Sequence, residues 1–92
     1  MTTQLQVHRD NEVSSSTLGR LAAQSSRWRV VVEAWPVEDR YRGRLVFQAD
    51  DQRAGRVRES SDFLSGGSVE EVVNAAYELP EQRIRVLLHS LL

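Results

Sequence analysis

From Trp28 onward, apolar and polar positions sort with period two: Trp28, Val30, Val32 and Ala34 fall on one side, and Arg29, Val31, Glu33 and Trp35 on the other. This pattern predicts a strand. Pro36 lacks the N–H that a ladder needs and is expected to stop it, with Val37-Glu38-Asp39-Arg40 turning the chain. A second strand follows, with Tyr41, Gly43, Leu45 and Phe47 on one side and Arg42, Arg44, Val46 and Gln48 on the other. After a turn over Asp50-Asp51-Gln52-Arg53-Ala54-Gly55, a third strand starts at Arg56, with Val57 facing in and Arg58 facing out. Two short connections in succession favour an antiparallel meander.

The register follows from the same pattern, because paired residues share a face and the apolar sets must meet. Closing the first hairpin at Pro36 and Tyr41 sets Ala34 against Gly43, Val32 against Leu45 and Val30 against Phe47. On the other face it sets Trp35 against Arg42, Glu33 against Arg44 and Val31 against Val46. The third strand fits less well, since Glu59 and Ser61 would share the dry side with Val57 and Phe63. A bulge within Glu59-Ser60-Ser61-Asp62, or a strand ending near Arg58, removes that conflict.

Beyond a loop at Ser65-Gly66-Gly67 the period changes to helical. Ser68-Val69-Glu70-Glu71 is a capping box, and Val69, Val72, Val73 and Ala76 then share one face. Pro80 ends this helix and starts a second, whose stripe is Ile84, Leu87, Leu88 and Leu91, widened by Val86 and Leu92. The predicted fold is α+β: a three-stranded antiparallel meander followed by two C-terminal helices packed on one face. Residues 27–92 form this single domain. Residues 1–26 have scattered apolar positions and serine-rich stretches, and are expected to form a mostly disordered N-terminal tail. Within that tail, Gln4–His8 alternates like a strand, and Ser16 or Thr17 could cap a short helix through Ala23.

Composition narrows the chemistry. The 92 residues contain 12 arginines, no lysine, 13 acids and no cysteine, for a net charge of −1. Without cysteine there is no disulfide scaffold, thiol nucleophile or cysteine-ligated metal. The charge is unevenly placed: residues 27–58 hold eight arginines against five acids, and residues 59–92 hold two against six. The predicted sheet is therefore cationic and the helices acidic, with Glu70, Glu71, Glu78 and Glu81 on the latter. No signal peptide or membrane-spanning run is recognised, and a cytoplasmic location is expected.

No catalytic constellation emerges. His8 lies in the tail, and His89 sits near a helix C-terminus, where a cation is favourable against the dipole. Asp50-Asp51 reads as a turn rather than a cation site, and Ser65-Gly66-Gly67-Ser68 lacks the pattern of a phosphate loop. We therefore expect a non-enzymatic protein without cofactor or metal. Its expected role is protein–protein interaction or regulation through Trp35, Arg42, Arg44 and Arg58 on the sheet, with Leu88, Leu91 and Leu92 as a homodimer seam. The alternative is single-stranded nucleic-acid binding by the sheet face, where Arg29, Arg42, Arg44, Arg56 and Arg58 would project beside Trp35.

The run of two long strands, a third, then the capped helix Ser68–Ala76 resembles in outline the partial RNase H-like domains of HicB-type antitoxins. The likeness is one of topology, without their glycine- and proline-rich third strand. Leu79-Pro80-Glu81-Gln82-Arg83 followed by Val86-Leu87-Leu88 and Leu91-Leu92 is similar to the helical segment of small addiction-module components. Neither likeness transfers a functional residue to this chain.

Overall fold

The computed structural model describes residues 13–50 and 56–92. Five strands, β1 (Ser14–Ala23), β2 (Ser26–Val37), β3 (Arg40–Ala49), β4 (Val57–Glu59) and β5 (Leu64–Gly66), form one antiparallel sheet. Two helices, α1 (Val69–Tyr77) and α2 (Glu81–Leu91), follow. The strand order is β1-β2-β3-β4, and β5 also pairs with β3. The architecture is the predicted α+β one, with a larger sheet.

The β2–β3 hairpin adopts the expected register, with Val30↔Phe47, Val32↔Leu45 and Ala34↔Gly43 on the helix side and Glu33↔Arg44 and Trp35↔Arg42 on the other. Trp28, Val32, Ala34, Leu45 and Phe47 lose all solvent exposure there, together with Val72, Ala76 and Leu88 from the helices. At Gly43 the helix layer comes closest: an added Cβ would lie 2.5 Å from Val72 Cγ1 and 2.7 Å from the Glu33 carbonyl oxygen. Pro36 does not stop β2, which continues to Val37. Its backbone points away from β3 in the alternating ladder, and the described part of β1 ends opposite Ala34, so the missing N–H breaks no pairing. The turn is the two residues Glu38-Asp39, with Glu38 at φ 57°.

The expected tail is corrected for residues 14–26. Ser14–Ala23 is a full edge strand rather than a disordered segment or a short helix, and it joins β2 through the two-residue turn Gln24-Ser25. Both turn residues have positive φ, 51° and 65°, as a type I′ hairpin turn requires. Only Leu18, Leu21 and Ala23 of β1 pack on the core, while Ser14 and Ser16 face Ala34 and Val32. A bulge between Thr17 and Gly19 shifts the pairing by one residue, so no single alternation runs through the strand. The expected Gln4–His8 strand and the tail reading of residues 1–12 lie outside the described residues.

The third strand also differs from expectation. It is broken: β4 pairs through Val46↔Glu59 and β5 through Gly43↔Leu64, with the chain looping outward between them. The break falls at the serines that signalled a bulge. Ser60 is buried there, its hydroxyl accepting from Leu45 N–H at 2.9 Å while its own N–H donates to the Leu45 carbonyl at 2.9 Å. These two bonds replace the ladder where it lapses. Ser65-Gly66 is strand rather than loop. The face assignment of β4 reverses as well, because Phe47 pairs with Arg58 and Gln48 with Val57. Arg58 thus points to the helix side, where its Nε donates to the Leu91 carbonyl at 3.2 Å. A cation thereby satisfies the Leu91 carbonyl at the end of α2, and Val57 is left 42% exposed on the other face.

Both helix starts follow the sequence. Ser68 Oγ accepts from Glu71 N–H at 3.2 Å, and the Glu71 carboxylate accepts from Gly67 N–H at 2.8 Å. Pro80 stands at the N-cap of α2, with Glu81 in its first turn and His89 in its last.

Candidate interaction surface

The face of the sheet opposite the helices is built from alternate residues of β2 and β3. The ladder places Arg27, Arg29, Val31, Glu33 and Trp35 beside Arg40, Arg42, Arg44, Val46 and Gln48 on this side. Val31 and Val46 face each other at its centre and are only 6% and 3% exposed, although no helix among the described residues covers them. Polar pairs bracket them along the strands. On one side Arg29 donates to the Gln48 side chain, with Nε at 3.1 Å. On the other, Arg44 lies 3.0 Å from Glu33 and 3.3 Å from Glu59. These pairs flank the valines along the strands and keep their charged or polar ends at the water boundary.

The expected site residues divide between the two faces. Trp35, Arg42 and Arg44 share the outer face as expected, whereas Arg58 lies on the helix side, and so does Arg56, whose guanidinium sits 5.1 Å from the centre of the Trp28 ring. Two of the five arginines assigned to the outer face therefore belong to the inner one. Trp35 is half-buried, and the cation over its ring is Arg44, at 5.6 Å, rather than its direct pair Arg42. Arg42 instead turns toward the β4–β5 break, where it donates to the Asp62 carbonyl at 2.5 Å. Leu88 is fully buried in the core and Leu91 packs against it, so neither is available as an exposed seam; Leu92 is 38% exposed.

The exposed charges are unevenly divided between the layers, although Glu38, Asp39 and Glu59 are exposed on the sheet and Arg83 on α2. Arg27, Arg29, Arg40 and Arg42 are exposed on the sheet face, and none has a carboxylate partner among the described residues. Glu70, Glu71, Glu78 and Glu81 are exposed on the helices. Glu71 is used by Gly67 N–H and Glu81 by Arg85 at 2.6 Å, while Glu70 and Glu78 have no cationic partner among the described residues. The loop before α1 thus already holds an anion in the Glu71 carboxylate, which removes it as a phosphate cradle. Asp50 is likewise occupied, by Arg20 at 2.8 Å, and Asp51 lies outside the described residues. No group of three or more metal-ligating side chains occurs among the described residues.

Two clefts accompany these surfaces. One, of about 240 Å³, lies at the β2–β3 turn and is lined by Val37, Glu38, Asp39, Arg40, Tyr41, Arg42 and Ser65. The other, of about 190 Å³, separates β1 from the α1–α2 turn and is walled mainly by Leu18, Leu21, Leu79 and Ile84. At this second cleft, helix side chains guard the sheet edge. The Tyr77 hydroxyl donates to the Thr17 carbonyl at 3.4 Å and Arg85 donates to the Ala22 carbonyl at 2.9 Å. Together with the bulge they blunt an edge that would otherwise recruit another strand. Sequence reasoning missed this guard, because it depends on contacts between residues about sixty positions apart.

The fold and surfaces define a two-layer α+β domain with a cationic sheet face and an acidic helix layer. No family model, curated protein or solved structure matches the chain. No helix among the described residues is long and apolar enough to cross a membrane.

Proposed function

We propose that this protein is a non-enzymatic interaction or regulatory domain that works by protein–protein contact and self-associates, using the outer sheet face around Arg40 and Arg42. The observation that carries the reading is the uneven division of charge: exposed arginines without carboxylate partners on the sheet, and exposed acids without cationic partners on α1. Arginine suits such a surface because its planar fork pairs with carboxylates in two-point geometry. Complementary charge steers encounter and sets orientation even where bulk attraction is weak, as it is in a chain of net charge −1. The alternative of single-stranded nucleic-acid binding has less support. Trp35 is the only aromatic the ladder places at that face, and Arg44 already lies against its ring. Base stacking needs open ring faces.

Light scattering tests this reading. At high micromolar concentration and low ionic strength the average mass is expected to rise well above 10.5 kDa, and an Arg40→Glu, Arg42→Glu variant is expected to stay at 10.5 kDa. A wild-type protein that remains at 10.5 kDa throughout contradicts self-association. Tight, salt-sensitive binding to a short single-stranded oligonucleotide would favour the alternative instead.

A further inference from the structure

Resting on that reading of the sheet face, we infer that its occupant is the α1 surface of a second copy of this chain, docked head to tail. The outward stripe of α1 runs Glu70, Asn74, Tyr77 and Glu78, which share a side at helical spacing. Tyr77 is 59% exposed, the most exposed of the large hydrophobic side chains described, and it sits between acids that the chain's own described cations leave unpaired. Glu70 and Glu78 are separated by about 12 Å along the helix. On the sheet, Arg40, Arg42 and Arg44 rise from one side of β3 over a span of about 14 Å. Arg40 and Arg42 have no carboxylate partner among the described residues, whereas Arg44 is held by Glu33 and Glu59, so the exposed charges that oppose in sign are Arg40 and Arg42 against Glu70 and Glu78.

Shape agrees with charge. The cleft at the β2–β3 turn, about 240 Å³, is a concave feature at the turn end of the sheet, where Arg40, Tyr41 and Arg42 stand beside the turn acids Glu38 and Asp39. The exposed Tyr77 ring of a second copy offers a face to the Arg42 guanidinium, its hydroxyl staying on the Thr17 carbonyl of its own chain. The matching acids, Glu70 and Glu78, then fall on the side of Arg40 and Arg42, while Arg44 stays with Glu33 and Glu59. Because the donor and acceptor surfaces lie on opposite layers of one molecule, the contact is heterologous: each copy offers one of each, and assembly continues until a ring closes or the chain of copies ends.

Mixing two variants tests this arrangement. A helix variant, Tyr77→Ser with Glu78→Arg, keeps its sheet face; a sheet variant, Arg40→Glu with Arg42→Glu, keeps its helix face. All four positions are exposed except for the single Tyr77 bond to the Thr17 carbonyl, and circular dichroism establishes that both variants fold. Each alone is expected at 10.5 kDa by light scattering, and an equimolar mixture at about twice that mass, because one intact interface is restored. Assembly of the helix variant by itself, with the sheet variant monomeric, overturns this docking while leaving contact through the sheet intact. A mixture that stays monomeric when the wild type assembles overturns the head-to-tail geometry.

Discussion

The two faces of the sheet both exclude water from valines, yet they do so by different physics. On the inner face Val32 sits among Trp28, Leu45, Phe47, Val72 and Leu88, all without solvent exposure, and the stabilisation is close packing under a second layer. On the outer face Val31 and Val46 are nearly as dry, but what flanks them is the Arg29–Gln48 pair and the Glu33–Arg44–Glu59 cluster. The inner face is thus closed by a packed second layer, whereas the outer face carries its dry valines between side chains that remain charged at their tips.

Substitutions can break this comparison at several depths. Trp28→Ala empties the largest fully buried side chain and is expected to cost about 3–5 kcal/mol, leaving little or no cooperative transition in urea. Gly43→Ala forces a Cβ into Val72 and the Glu33 carbonyl and is expected to cost about 1–3 kcal/mol, read as a lowered urea midpoint. On the outer face, Val46→Ala is expected to cost about 1.5 kcal/mol, two methylenes at about 0.8 kcal/mol each. If Val46 behaved as an ordinary surface position, the change would fall within about 0.5 kcal/mol. The smallest effect has the opposite sign. Replacing Gln24-Ser25 with Asn-Gly relieves two positive-φ positions and is expected to raise stability by roughly 0.4–1 kcal/mol, measured by thermal unfolding.

The β2–β3 register was legible because both strands alternate cleanly, which fixes the shared face of Trp28, Val30, Val32 and Phe47, and because the short connection after Pro36 excludes slips by two residues. β1 was not, for three local reasons. Its inward positions begin with Ser14 and Ser16, its bulge at Thr17/Gly19 shifts the alternation, and Gln24-Ser25 lacks the Asn-Gly signature of its turn. In β4 the hydrophobic pattern pointed the wrong way, since the C-terminal carbonyls of α2 claim Arg58 from a distance that no local pattern records. The same division holds at the candidate site. That Trp35, Arg42 and Arg44 share a face was readable from period two. The placement of Arg44, not Arg42, against Trp35 was not, nor was the use of Arg42 by the Asp62 carbonyl, because both depend on diagonal reach and on the break between β4 and β5.

On the proposed reading, opposite charge on the sheet and helix layers joins copies of this protein. Sedimentation equilibrium of the wild-type chain over a range of salt concentrations tests it most directly. Exposed complementary charges are screened within about 10 Å at 0.1 M salt, so the association constant should fall steadily as salt rises, returning the protein to 10.5 kDa. Association that is unchanged or strengthened by salt would place the contact on apolar surface and contradict the account.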